Sequence, residues 1–284
     1  MTRYALRSST PVLSRPDDTI QVGWDPRRAV VVQPPSGLPA AVLAELLRAL
    51  QSAATIPELQ RLAAEKGADA SVVAGLVTHL AESGVVTVEA RHRTRAPSVR
   101  IHGRGPLSDL LTASLRCSGA RISHTSRTHA SAGVADLAVL TDYLVADPRV
   151  VRELHDAGVP HLPVRVRDGT GLVGPLVIPG VTSCLRCADL HRSDRDAAWP
   201  AVAAQLIQTV GTADRATLLA TAGLALNEVD RVIRAVCADA DSGAGLEAPT
   251  PPAPPLTIDT TLEFDASNGS NAARRWSRHP QCHC

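Results

Sequence analysis

Aromatic side chains make up only 2% of this 284-residue sequence, so its cores must be built from Leu, Val, Ile and Ala, for which a hydrophobic content of 44% is ample. An excess of charge of either sign is missing too. The formal net charge of +1 gives no footing for bulk attraction to nucleic acid or to an anionic membrane. No apolar run approaches the length of a membrane span. Residues 1–10 are polar and lack the apolar stretch of a signal peptide, so the expected location is the cytoplasm. Lysine is nearly absent: Lys66 is the only one, and every other cationic side chain is Arg, which removes lysine from any active site beyond residue 66.

Against these absences, cysteine is concentrated. Cys184-Leu-Arg-Cys187 and Cys282-His-Cys284 form two close pairs almost a hundred residues apart, matching the ligand set of a closed, tetrahedral, structural zinc site. A two-residue spacer lets both thiolates reach one metal from a single turn, whereas a one-residue spacer does so only from a bent or extended segment. One metal holding all four would pin residue 284 to a loop near 185. Disulfides are the alternative, but they are not expected in a cytosolic protein. A thioredoxin-like motif would leave the distant C-x-C unexplained. His191, His279 and His283 lie close enough in sequence to replace one cysteine. Cys117 and Cys237 sit in apolar helical patterns and read as buried thiols. Four protein ligands leave no open position for water, so the site reads as a staple and not as a catalyst.

The length suggests two domains. In the first, residues 1–90, two β-rich runs at 19–24 and 29–33 are joined by Asp25-Pro-Arg-Arg28. Three helical patterns follow: Leu38, Val42, Leu46 and Leu50 on one face; a capping box Thr55-Ile-Pro-Glu58 opening a helix with Leu59 and Leu62; and a third helix, with Asp69 as N-cap, carrying Val72, Val73, Leu76, Val77 and Leu80 inward. Gly84 ends it, and residues 85–88 return as a strand. This is the element order of a small winged-helix domain. Its third helix carries no Arg or Lys, so it lacks the donors of a DNA-recognition helix. The alternative is a peptide reader, in which the exposed edge Val30, Val31 and Val32 pairs with an incoming strand beside Val73 and Val77 of the third helix. A third possibility is packing on a neighbour alone.

A polar linker at 91–98 leads to the second domain, 99–284. There a strand enters Gly103-Arg-Gly-Pro-Leu-Ser108, followed by a helix and a strand near 120–123, the opening of a Rossmann-like unit. Gly103 and Gly105 suit a tight turn that brings a phosphate to helix-start amides. Ser108 takes the third glycine position. The second strand reads Ile122-Ser-His-Thr125, without the carboxylate that would hold a ribose. A later strand ends at Asp142. Pro148 opens a helix closed at Gly158, residues 161–166 form a strand, Asp168-Gly-Thr-Gly171 turns, and Gly174-Pro-Leu-Val-Ile178 returns to the Cys184 pair. Residues 199–210 and 216–237 are helical, 239–255 is a Pro/Gly/Ala-rich linker, 256–264 alternates like a strand, and Asn268-Gly269 turns towards the terminal cysteines.

In order, the Rossmann turn, the strand ending Thr141-Asp142, the C-x-x-C and the distal cysteine pair resemble the ThiF-like activating enzymes. More narrowly, Gly174-Pro-Leu-Val-Ile-Pro-Gly-Val-Thr-Ser-Cys184 through Trp199-Pro200, with the ending Trp276-Ser-Arg-His-Pro-Gln-Cys-His-Cys284, is similar to the actinobacterial cyclodehydratase-partner branch. That branch includes leader-peptide-binding proteins of thiazole/oxazole-modified peptide (TOMM, bacteriocin) pathways. The resemblance implies an α/β chain with a winged-helix peptide-recognition domain followed by a ThiF-like Rossmann domain holding a four-cysteine zinc site. Working relatives adenylate a carboxylate with Mg-ATP, using a glycine turn, a ribose carboxylate, a lysine and a metal-binding Asp. Of these, Gly103, Gly105 and Asp142 have counterparts here. The implied function is a scaffold that captures a precursor leader peptide and presents it to a YcaO-type cyclodehydratase, with a homodimer as the default assembly. The alternatives are an ATP-dependent adenylating enzyme relying on Asp142, with Arg100 or Arg104 in place of the lysine, and a winged-helix DNA-binding regulator. Asp189, His191, Arg192, Asp194 and Arg195 are read as helix-start and salt-bridge residues.

Overall fold

The computed structural model describes residues 2–6, 10–89, 96–126, 135–241 and 253–284. The expected linkers at 91–98 and 239–255 fall largely outside them. The chain divides into two compact units, residues 2–89 in one, and 96–240 with 253–284 in the other.

In the first unit, β2 (Val12–Ser14), β3 (Ile20–Val22) and β4 (Val30–Val32) form an antiparallel sheet in which Ile20 pairs Val32 and Val22 pairs Val30. The hairpin between the last two is the expected one, and β4 is an edge strand. Helix α1 (Ala40–Ala49) buries Val42, Leu43, Leu46 and Leu47. Helix α2 (Ile56–Glu65) opens on the predicted capping box: the Thr55 hydroxyl accepts from the Glu58 amide, and the Glu58 carboxylate from the Thr55 amide. Helix α3 (Val72–Glu82) starts later than expected, because Asp69 accepts from the Ser71 amide and hydroxyl and closes a turn ahead of the helix. The Asp69 amide donates to the Gly37 carbonyl at 2.9 Å, tying the loop after β4 to the approach to α3. A second small sheet sets β1 (Arg3–Leu6) between β5 (Ala54–Thr55) and β6 (Val86–Glu89).

The second unit is built on a seven-stranded mixed sheet. Its parallel part holds β7 (Ser98–His102), β8 (Arg121–Thr125), β9 (Leu137–Thr141) and β10 (His161–Arg167), with β7 between β8 and β9. Three antiparallel strands extend it beyond β10: β11 (Thr170–Val173), β12 (Thr260–Asp265) and β13 (Ser270–Arg275). The strand after the Asp168 turn therefore ends at Val173, before the expected Gly174 return, where the Gly174–Pro175 peptide is cis. Asn268-Gly269 turns between β12 and β13, a strand pair that the polar, exposed Ser270–Arg275 run did not announce.

Period-two alternation on β10 sorts the two faces. Leu162, Val164 and Val166 join Leu107, Leu111 and Leu115 of α4 (Pro106–Leu115) and Ala225, Val229 and Ile233 of α8 (Arg215–Asp241) in one core. On the other face, Ala138 and Leu140 pack against Val150 and Leu154 of α5 (Pro148–Asp156). Glu228 of α8, fully buried, accepts from the Thr257 amide at 2.9 Å and hydroxyl at 2.8 Å, which anchors the chain as it returns to β12. Among the described residues, no helix is long and apolar enough to cross a membrane.

Candidate metal centre and sheet-edge crevice

Cys184 caps the N-terminus of α6 (Leu185–Ser193), and Cys187 lies in its first turn. The terminal segment brings Cys282 and Cys284 to them. The Sγ atoms of Cys184 and Cys187 are 3.8 Å apart, those of Cys184 and Cys282 3.6 Å, and those of Cys187 and Cys284 3.5 Å. Four sulfurs around one tetrahedral ion at a zinc–sulfur distance of about 2.3 Å would lie about 3.8 Å from one another. The four thiols could thus hold a metal ion, and all four predicted ligands meet. Burial raises the Cys184 thiol well above its ordinary value. Burial acts the same way on Cys187, but hydrogen bonds from the His279 and Cys184 amides and from the Cys284 and Cys282 thiols together bring that thiol to about 7. A cation at the centre is what would let all four ionise together.

The tail is also held without the sulfurs. Arg278 donates to the Gly180 carbonyl at 2.7 Å, His279 meets Asp194 at 2.8 Å, and His191 meets the Ser277 carbonyl at 3.1 Å. The Ser183 amide and hydroxyl both reach the Asp259 carboxylate ahead of β12. The polar run after the C-x-x-C therefore serves the body and end of α6, not its start. None of His191, His279 or His283 is needed as a ligand. Cys117 is exposed, against the expectation of a buried thiol. The Cys237 side chain lies outside the described residues.

The glycine turn lies where strand order reverses, between β7 and its neighbours β8 and β9, at the carboxyl ends of the strands where α/β sheets take ligands. Here that place is filled from within. The Asp142 carboxylate, 1% exposed, accepts the amides of Leu107 at 2.9 Å and Ser108 at 3.1 Å, at the N-terminus of α4. These are the donors a phosphate would use. Asp142 reaches them from a left-handed backbone, φ 69°, which Asp tolerates better than a branched residue. Ser108 turns its hydroxyl back to accept the Gly105 amide at 3.0 Å. His124, on the strand where a ribose carboxylate was missing, meets the Gly103 carbonyl at 2.9 Å. A Cβ on Gly105 would lie 2.8 Å from the Asp142 carboxylate, and one on Gly103 would overlap Thr141. Both glycines are thus required by self-packing. Residues 209–211, beyond α7 (Trp199–Leu206), lie across the same edge: Leu144 donates to the Thr209 carbonyl, and Gly211 to that of Asp142. Asp142, read from sequence as the metal-binding Asp of an active relative, is here a helix-capping group.

In the first unit, Val30 and Val31 are exposed on edge strand β4, and Val32 is buried. Val73 and Val77 are buried in the unit's core at 0% and 1% exposure, and so have no surface to offer a peptide. The sequence pattern suits both an inward and a peptide-facing role for them. Packing against α2 and β6 decides for the first.

With the geometry in view, the class of fold is a mixed-sheet Rossmann-like unit with a four-cysteine corner, joined to a small helix-and-strand unit. The sequence matches no family model and no curated protein. Solved structures do match. The heterocyclase TruD aligns with a TM-score of 0.68 at 17% identity, covering 100% of this chain but 42% of TruD. E. coli MccB with ATP aligns with a TM-score of 0.57 at 11% identity over 99% of both chains, and so does MccB, a microcin C7 biosynthetic enzyme, with N-formylated MccA. This bears out the resemblance at the level of the fold.

Proposed function

We propose that the chain is a non-catalytic, ThiF-like scaffold that binds a precursor leader peptide and presents it to a YcaO-type cyclodehydratase in thiazole/oxazole peptide biosynthesis. The self-satisfied glycine turn carries this reading. Asp142 and Ser108 take up amides of the turn and helix start that a nucleotide phosphate would use, and no lysine lies in the second unit. Zinc is the metal proposed for Cys184, Cys187, Cys282 and Cys284, in a structural role. The first unit is proposed as a winged helix whose β4 edge, at Val30 and Val31, accepts the leader as an added strand. Peptide contacts from α3 then fall to the partly exposed Val72 and Leu76, since Val73 and Val77 are buried. The fold shared with a heterocyclase and with a microcin-biosynthesis enzyme supports the pathway class. A homodimer and a cytoplasmic location complete the reading.

Calorimetric titration of Mg-ATP into the metal-loaded protein is the test. The expected result is no saturable heat at millimolar nucleotide. Saturable binding that disappears in Asp142→Ala would overturn the scaffold and install an adenylating enzyme, a reading favoured by the end-to-end alignment with ATP-bound MccB.

A further inference from the structure

A cleft of about 880 Å³ opens in the second unit between α5, the C-terminal half of β10, α6, α7 and the four-cysteine corner. It is large enough for several residues of an extended ligand. Five arginines line it against three aspartates, Asp156, Asp168 and Asp189. Of these, Asp156 and Asp168 are exposed, and Asp189 is engaged by Arg192 at 2.9 Å and by the Trp199 indole at 3.2 Å. Arg192 is itself stacked between Trp199 and Trp276, at 5.0 and 5.2 Å from the ring centroids, so two of the chain's three tryptophans fix one guanidinium.

Arg165 stands beside it. It shares the face of β10 with Pro163 and Arg167, opposite the buried Val164 and Val166. Its guanidinium has no hydrogen bond or ion pair among the described residues. The two carboxylates whose charges act on it are paired elsewhere, Asp189 with Arg192 and Glu263 with Arg167 at 3.9 Å. Burial, then the like charges of Arg192 and Arg167, bring its pKa down to about 10. A half-buried cation left without a counter-ion is costly, and a ligand carboxylate in the cleft would offset that cost. Guanidinium groups also match a planar carboxylate two bonds at a time.

We propose that this cleft binds an acidic peptide segment, with Arg165 as the central carboxylate-binding residue and Arg167 and Arg192 at its flanks. The site lies wholly in the second unit and is independent of leader capture at β4, so either can fail alone.

The test uses the full metal-loaded chain and two labelled peptides, acetyl-Glu-Gly-Glu-Gly-Glu-amide and its Gln counterpart, in fluorescence anisotropy. Saturable binding of the Glu peptide is expected, at least tenfold tighter than the Gln peptide and weakening with salt. Arg165→Gln should weaken it at least tenfold, the exposed Arg167→Gln less, and Arg61→Gln in the first unit not at all. Arg165→Gln should also raise the melting temperature of the free protein, which a merely structural arginine would not do. If that variant does not fold, Arg167→Gln with Arg152→Gln carries the binding test. Equal binding of the two peptides, no binding of either, or unchanged affinity in the folded arginine variants overturns the proposal. So does saturation by inorganic phosphate without peptide binding, which would make the cleft a phosphate site.

Discussion

Two places along the carboxyl edge of one sheet treat charge in opposite ways. At the glycine turn, a buried carboxylate has found its donors within the chain, in the amides of Leu107 and Ser108 at the end of a helix. At the arginine cleft, a half-buried guanidinium has found none. The first is a charge matched inside the fold. The second keeps a guanidinium without a hydrogen-bonded counter-ion of its own. The first arrangement stabilises the fold, and the second costs stability until a counter-charge is supplied.

The largest effect should come from the four-cysteine corner beside the arginine cleft. Cys184→Ala or Cys282→Ala should release the metal and cost on the order of several kcal/mol, because binding free energy of a structural ion is folding free energy. Metal content and calorimetric unfolding check it, and retention of metal equal to the parent protein would refute the four-cysteine assignment. Acid comes next. Burial holds His161 at about 4, below its ordinary 6.5, so the native state takes up its proton less readily than the unfolded chain. Stability should rise with pH between those values and fall as pH drops from 6.5 towards 4, by up to roughly 3 kcal/mol. Denaturation at several pH values should show this slope, and His161→Leu should flatten it. Asp142→Ala tests the filled turn directly. Loss of the cap should cost about 1–3 kcal/mol, read from chemical denaturation of the variant against the parent. Val31→Asp, at an exposed edge position, should change stability by less than about 0.5 kcal/mol yet abolish capture of a leader peptide. The smallest effect belongs to Cys117→Ser, an exposed thiol far from the metal in sequence, expected within about 0.5 kcal/mol of the parent with metal intact.

Much of the local structure was legible. The capping box at Thr55 and Glu58, the β3–β4 hairpin and the strand–turn–helix around Gly103 are written in short-range chemistry, and they formed where expected. Misreadings fell where a pattern was compatible with two surroundings. Val73 and Val77 fit a helix face whether it meets a core or a ligand. Cys117 follows an apolar helix yet ends exposed, since the helix stops at Leu115 just before it. The strand Ser270–Arg275 carries no alternation because its side chains are all exposed. The arginine cleft left no local signal, because Arg165 and Arg192 come from a strand and a helix separated in sequence.

By itself the sequence determined which residues could do chemistry: four thiols in two pairs, a glycine turn without a third glycine, a second unit without lysine. Those are inventories of donors and charges, and they survive any arrangement of the chain. Only the tertiary structure decided how each was spent. The thiols converge because the tail is tied back to α6 and to the loop at Gly180. The turn is filled because β9 ends beside it and delivers Asp142 to its amides. Arg165 is left without an ion pair because the acids whose charges act on it pair with other arginines. Spacing along a chain can show that a charge is present, but whether it is satisfied depends on distance in space.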